Sequence, residues 1–172
     1  MTTATLQPAH GEPRRPSAWP GLLLIGLSVA AVAVLGGLAT ATSVKTWYPT
    51  LSKPAWTPPD WVFGPVWTVL YAMMAAAALL VWRSPDRSRV RPALWAFAGQ
   101  LVLNLAWSVC FFGLRSPLLG FIDICALWVL IGLTVVQFFL VSRTAGWLMV
   151  PYWAWVTFAA ALNGSILIRH GT

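Results

Sequence analysis

Five apolar runs, each close to the ~20 residues that a helix needs to cross a bilayer, constrain this 172-residue chain more than any other feature. They cover approximately residues 19–42, 61–82, 93–114, 117–141 and 147–168. No water is available to backbone polar groups in lipid, so runs of this kind must become helices or strands of a closed barrel. A barrel needs a two-residue alternation, which the continuous Leu, Ala and Val stretches lack. The expected fold is an all-α integral membrane protein, a single five-transmembrane-helix bundle over residues 19–172 with its ends on opposite sides of the membrane. Hydrophobic residues make up 59% of the chain and charged residues 9%, and the mean hydropathy of +0.74 excludes an ordinary soluble domain.

Residues 1–18 contain Pro8, Pro13 and Pro16 with no periodicity and read as a disordered tail. Arg14 and Arg15 ahead of an apolar run that ends near LATATS resemble a cleaved leader. The run 21–41 is longer than a signal-peptide core, however, and reads as a span. Within it Ala33, Gly37 and Ala41 recur at four-residue spacing. Such a stripe lets another helix approach, either inside the bundle or at a homodimer seam.

Arg14, Arg15, Arg83, Arg87, Arg89, Arg91 and Arg143 fall on the N-terminal side of the expected topology, against Lys45, Lys53, Arg115 and Arg169 on the other. This excess places the N-terminus in the cytoplasm, in a bacterial cell membrane. The RSPDRSRVRP loop then orients the chain and touches anionic lipid. It carries no module for nucleic acid, although the sequence pI is about 10.5. Cys110 and Cys125 lie inside apolar runs and are expected to be free buried thiols. Two cysteines build no metal site, so none is expected.

Residues 47–71, WYPTLSKPAWTPPDWVFGPVWTVLY, join a tryptophan- and proline-rich loop directly to the second apolar run. Pro49, Pro54, Pro58 and Pro59 fix φ and push the preceding residues toward extended geometry, which predicts a stiff non-helical strap over 47–60. Tyr48 and Trp56 give it amphipathic faces and Lys45 and Lys53 give it cations. Phe63, Trp67 and Tyr71 then share one helix face at four-residue spacing. The strap is expected to cover an aromatic-lined pocket.

This segment resembles the signature of the translocator protein family, also called the tryptophan-rich sensory protein (TspO/MBR) family. GQLVLNLAWSVCFFG at 99–113 and VPYWAWVTFAAALN at 150–163 are further matches, in the family's order. At ~1.5 Å rise per residue, Trp67, Trp107, Asn104, Asn163 and Trp155 sit about 8 to 20 Å below the strap-side boundary. Asn104, Trp107, Ser108 and Phe111 share a face, as do Trp155, Ala159, Leu162 and Asn163. Polar groups avoid lipid, so both faces turn inward, which by itself implies interhelical hydrogen bonding and aromatic packing. The resemblance instead assigns Trp67, Asn104, Trp107, Trp155 and Ala159 to a ligand pocket. Tyr48, Trp56, Phe63, Ser108 and Leu162 are added as ligand-binding candidates, with Lys45, Lys53 and Arg115 as a basic rim. Asp123, the only acid well inside a span, has either a helix-end and bundle hydrogen-bonding role or a pocket or proton-linked one.

His10 and His170 lie outside the apolar runs, leaving no imidazole in the membrane for haem iron. Among the porphyrin, cholesterol and benzodiazepine-type ligands that the resemblance implies, a metal-free porphyrin such as protoporphyrin IX fits better, stacked on Trp67, Trp107 and Trp155 with its carboxylates at the basic rim. No cofactor is required. The family's animal members carry a tyrosine before a terminal arginine as a sterol pattern. Gly164 stands in its place here and Arg169 is displaced, so sterol binding is expected to be weak. The expected function is a membrane receptor or sensor for tetrapyrroles that influences their transport or a stress response. The alternatives are photo-oxidative porphyrin degradation through Trp67 and Trp155, and ion or proton-coupled transport. No acid/base pair or activated nucleophile supports other enzymatic chemistry.

Overall fold

A computed structural model describes residues 17–170. The expected disordered tail lies outside them except for Ser17 and Ala18, and Ala18 opens the first helix. The helices are α1 (Ala18–Thr46), α2 (Phe63–Trp82), α3 (Arg87–Ser108), α4 (Pro117–Val141) and α5 (Arg143–His170). All five are long and apolar enough to cross a membrane, and the chain is an all-helical, multi-pass integral membrane protein.

Three helices extend past the apolar runs, because caps rather than hydropathy set their ends. α1 continues through Lys45 to Thr46, so Lys45 stands on a helical turn and not on the strap. α3 begins at Arg87 rather than at 93, since Asp86 caps it by accepting from the Arg89 backbone N–H. α5 begins at Arg143 rather than at 147, behind Ser142, whose hydroxyl oxygen accepts from the Ala145 N–H. α4 matches its apolar run, opening with Ser116 as cap and Pro117 in its first turn.

α3 does not end as a regular helix. Val109–Gly113 form a π-helical turn, a widening that often accompanies functional sites. It buries the consecutive rings of Phe111 and Phe112 together. The Ser43 hydroxyl on α1 donates to the Phe112 carbonyl at 2.6 Å, and Arg115 then turns the chain with a left-handed φ of 53°. The strap contains a short 3-10 turn at Tyr48–Thr50 and a second at Asp60–Val62, with irregular backbone between them. Tyr48 and Leu51 are buried against Phe111, Phe112, Leu162 and Ile166, which anchors the strap across one end of the bundle.

Small residues admit the close contacts. Phe139 packs on Gly146, Trp153 on Gly132 and Phe121 on Gly164, which aligns α4 and α5 antiparallel along their length. Met74, Ile131, Phe138 and Tyr152 fill the centre. Leu27, Leu38, Val102, Leu133 and Leu140 face outward, where lipid tails replace water and exposed apolar surface costs nothing. Cys125 is also on this outer surface and Cys110 is half-buried, so the expected burial of both thiols fails. Cys125 falls on the outward stripe of α4 with Ile122, Val129 and Leu133, which the continuous apolar run could not reveal.

Candidate functional site

A cavity of about 490 Å³ opens between α1, α2, α5 and the end of α3, under the strap. Its aromatic wall is a run of rings. Trp67 and Trp107 stack with centroids 6.5 Å apart at 30°, and Trp107 stacks on Phe111 at 5.7 Å and 17°. Tyr71 continues the run at 5.5 Å from Trp67. The spacing of Phe63, Trp67 and Tyr71 on α2 thus does point one face inward, and all three line the cavity.

The opposite wall is built from the smallest side chains. Ala33, Gly36, Gly37, Thr40 and Ala41 of α1 line it. A Cβ placed on Gly37 would meet no atom within 4 Å, whereas one on Gly36 would approach the Ser108 hydroxyl oxygen to 3.2 Å. Ala33, Gly37 and Ala41, a packing stripe by sequence, therefore border empty volume. A small-residue face on one helix opposite indole rings on another leaves a slot with a flat wall, a shape suited to a planar apolar ligand.

Tyr48 and Asp60 reach the cavity from the strap side, and Lys45 reaches it from the last turn of α1. The mouth thus carries one cation and one carboxylate. Burial, and secondarily the Asp60 charge, push the Tyr48 hydroxyl up to about 12, so it stays neutral at ordinary pH. Lys53 does not line the cavity. Its ammonium donates to the Tyr48 carbonyl at 3.3 Å and lies 4.2 Å from the Tyr48 ring centroid, clamping the strap instead. Arg115 is exposed and does not line the cavity either.

Asn104 is buried and does not line the cavity, and a polar chain engages both its amide oxygen and its amide nitrogen. Tyr71 donates to Asn104 Oδ1 at 2.7 Å, Asn104 Nδ2 donates to the Tyr152 oxygen at 3.1 Å, and Tyr152 donates to Gln100 Oε1 at 3.0 Å. This chain ties α2, α3 and α5 together where no water competes. Trp107 Nε1 donates to Asn163 Oδ1 at 3.3 Å, and Asn163 Nδ2 donates to the Pro117 carbonyl at 2.9 Å. The bond fixes the Trp107 ring in the cavity wall. Ser108, Ala159 and Leu162 complete the lining.

The remaining candidates are placed elsewhere. Trp155 does not line the cavity. It packs edge-on to Phe63 at 5.8 Å and against Phe158 at 5.4 Å, so Phe63 stands between it and the space. Its indole N–H is buried without a partner. Trp56 is half exposed and touches Phe158 at 5.6 Å, outside the lining. Asp123 sits on α4, which contributes no lining residue, and its Oδ2 is buried with no hydrogen bond. Reading the sequence missed Asp60 and the α1 wall. The signal for the latter was the small-residue stripe Ala33, Gly37 and Ala41, which spacing read as a packing face.

Five spanning helices around an aromatic-walled cavity under a loop define a multi-pass membrane protein with a pocket between its helices. The TspO/MBR family model matches residues 24–169, and the chain belongs to that family. A tryptophan-rich protein TspO of Chlorobaculum tepidum is 47% identical over 146 residues, covering 84% of this chain and 92% of its own. A protein of the same name from Archaeoglobus fulgidus is 42% identical, covering 84% and 93%. The translocator protein of Sus scrofa is 36% identical over 151 residues, covering 84% and 88%.

Proposed function

We propose that this protein is a membrane receptor that takes up a porphyrin such as protoporphyrin IX into the slot and couples its occupancy to tetrapyrrole transport or a stress response. The observation that carries this reading is the stacked wall of Trp67, Trp107 and Phe111 facing an open α1 surface. A planar macrocycle gains dispersion and offset-stacking contact along such a wall, and its apolar faces leave water. The cavity volume of about 490 Å³ falls inside the ~300–1,000 Å³ typical of small-molecule sites. Lys45 at the mouth offers a charge-assisted partner to a propionate, and Asp60 repels a second one, so the ligand enters in one orientation. The arginines of the α2–α3 connection and of the start of α5 favour a cytoplasmic position for that end, with the strap on the far side.

Titrating protoporphyrin IX into the detergent-solubilised protein while following tryptophan emission, in darkness and in light, tests the reading. Saturable quenching with the pigment conserved supports a receptor. Light-driven pigment loss that needs Trp67 supports a degrading activity, to which Trp155 would contribute only through Phe63. Quenching that rises linearly without saturation refutes a defined site.

A further inference from the structure

A second groove lies at the other end of the bundle, on the outer surface, and has no part in the aromatic slot. It encloses about 470 Å³ between α1, the end of α2 and the first turns of α3. Two strips of α3 build it. Arg87, Arg91 and Trp95 follow one another at i, i+4 and i+8, and Val90, Leu94 and Ala98 do the same beside them. At ~1.5 Å per residue the groove descends about 12 Å, from cations at the membrane edge to purely apolar side chains. Leu24 of α1 and the Trp82 ring form the facing side.

The groove is structurally fixed. Trp82 Nε1 donates to the Ser17 carbonyl at 3.2 Å, and its ring occupies space that a Cβ on Gly21 would enter. Arg87 donates to the Trp82 carbonyl at 3.3 Å with its guanidinium 5.6 Å from the ring centroid. That holds one edge of the fork at the mouth and leaves the other donors outward. Arg89, which points away, is consumed by the Leu140 carbonyl at 3.0 Å and by Asp86 at 3.2 Å. Asp86 is also bonded by the Ser88 hydroxyl, and it is the only carboxylate among the described residues at this end. Arg91 has no partner among the described residues, so the groove mouth carries uncompensated positive charge over an apolar floor.

We infer that this groove holds one anionic glycerophospholipid, its phosphate between Arg87 and Arg91 and one acyl chain along Leu94 and Ala98 against Leu24. The chemistry of the two ends selects this occupant. A free phosphate would use the arginines and leave the apolar floor empty, and a zwitterionic lipid would place an ammonium beside two guanidinium groups. Trp95, on the lower part of the strip and strongly exposed, sits where an indole covers the glycerol-ester level. The site is independent of the porphyrin reading, since none of its residues lines the slot.

Native mass spectrometry of the full chain, with palmitoyl-oleoyl phosphatidylglycerol or phosphatidylcholine added at equal concentrations, tests it. The first phosphatidylglycerol should bind at least about fivefold more tightly than phosphatidylcholine, since a basic residue at a membrane surface contributes that much. Arg91→Gln should remove most of this preference. Arg83→Gln, which deletes an equally exposed cation outside the groove, should keep it. Ala98→Phe should weaken phosphatidylglycerol binding without altering charge. Arg91 has no partner among the described residues and Ala98 is on the outer surface, so circular dichroism should show both variants folded. Equal losses in Arg83→Gln and Arg91→Gln would mean diffuse surface charge and overturn the site. So would full displacement of the lipid by inorganic phosphate at millimolar concentration, which would mean an anion site without a lipid.

Discussion

Gly37→Leu separates the cavity from the helix packing that surrounds it. In a stripe of small residues a leucine ordinarily forces two helices apart, at a cost of about 1–3 kcal/mol. At Gly37 the new side chain enters open volume, because a Cβ there meets nothing within 4 Å. Replacing glycine inside a helix also removes backbone freedom from the unfolded chain, worth about 0.5–1 kcal/mol. The fold should therefore be as stable as the parent or slightly more so. The ligand, by contrast, meets a branched side chain on the wall facing Trp67 and must shift away from it. If the displacement costs it even the lower end of the overpacking range, affinity falls about fivefold at ~1.4 kcal/mol per decade. Gly120→Leu is the contrasting case, since its Cβ would lie 2.8 Å from the Phe111 ring, and it should lower the melting temperature. The assay pairs thermal melts in detergent with protoporphyrin IX titration of each variant. A stable Gly37→Leu protein with unchanged affinity would refute the assignment of the ligand to this slot.

Asn104→Leu removes two bonds from the buried polar chain and should lower stability by about 1–2 kcal/mol on the membrane scale of such bonds, read as a drop in melting midpoint; no change would mean the chain is dispensable. Trp67→Phe should weaken porphyrin binding more than Trp155→Phe, because Phe63 screens Trp155 from the cavity, and the reverse order in a titration would contradict the placement. Replacing Pro58 and Pro59 by Gly should raise the ligand off-rate by about tenfold, since the loosened strap loses more entropy on closing; stopped-flow dissociation with equal rates would make the strap a mere connector. Tyr48 keeps its proton up to about pH 12 whereas the unfolded chain releases it near 10. The folded state thus binds more protons between these values, and stability should fall as pH rises from about 10 to about 12, less steeply in Tyr48→Phe.

The inward faces of α2, α3 and α5 could be read from sequence because α2 carries Trp67 and Tyr71 at helical spacing and α3 and α5 carry indoles with amides that lipid cannot solvate. Spacing turned Trp67, Trp107, Ser108, Ala159 and Leu162 inward, and the family resemblance was needed to assign Trp67, Trp107 and Ala159 to a pocket rather than to packing. α1 offered less contrast, with no indole or amide in its run 21–41 and only small hydroxyls among the apolar side chains there, so its small residues read as packing. Only coordinates distinguish a glycine that receives a neighbour, such as Gly164 under Phe121, from one that leaves space, such as Gly37. That contact also means Gly164→Tyr would displace Phe121 before it recruited any sterol. Charge was legible as composition but not as availability. Lys53 is held by the Tyr48 ring and carbonyl, Arg89 by the end of α4, while Lys45 was carried inward because α1 winds one turn beyond its apolar run. Trp155 and Ala159 share a face of α5, yet Phe63 intervenes at the level of one and not the other. The π-helical turn at Val109–Gly113 left no sequence signal, and it is what brings Phe111 and Phe112 to the same side.

The most direct test is a structure of the protein with protoporphyrin IX bound. The macrocycle should lie within stacking distance of Trp67 and Trp107, facing Gly37, with a carboxylate toward Lys45 and no direct contact with Trp155. A macrocycle found on the outer surface, or stacked on Trp155 with the slot empty, would contradict the assignment.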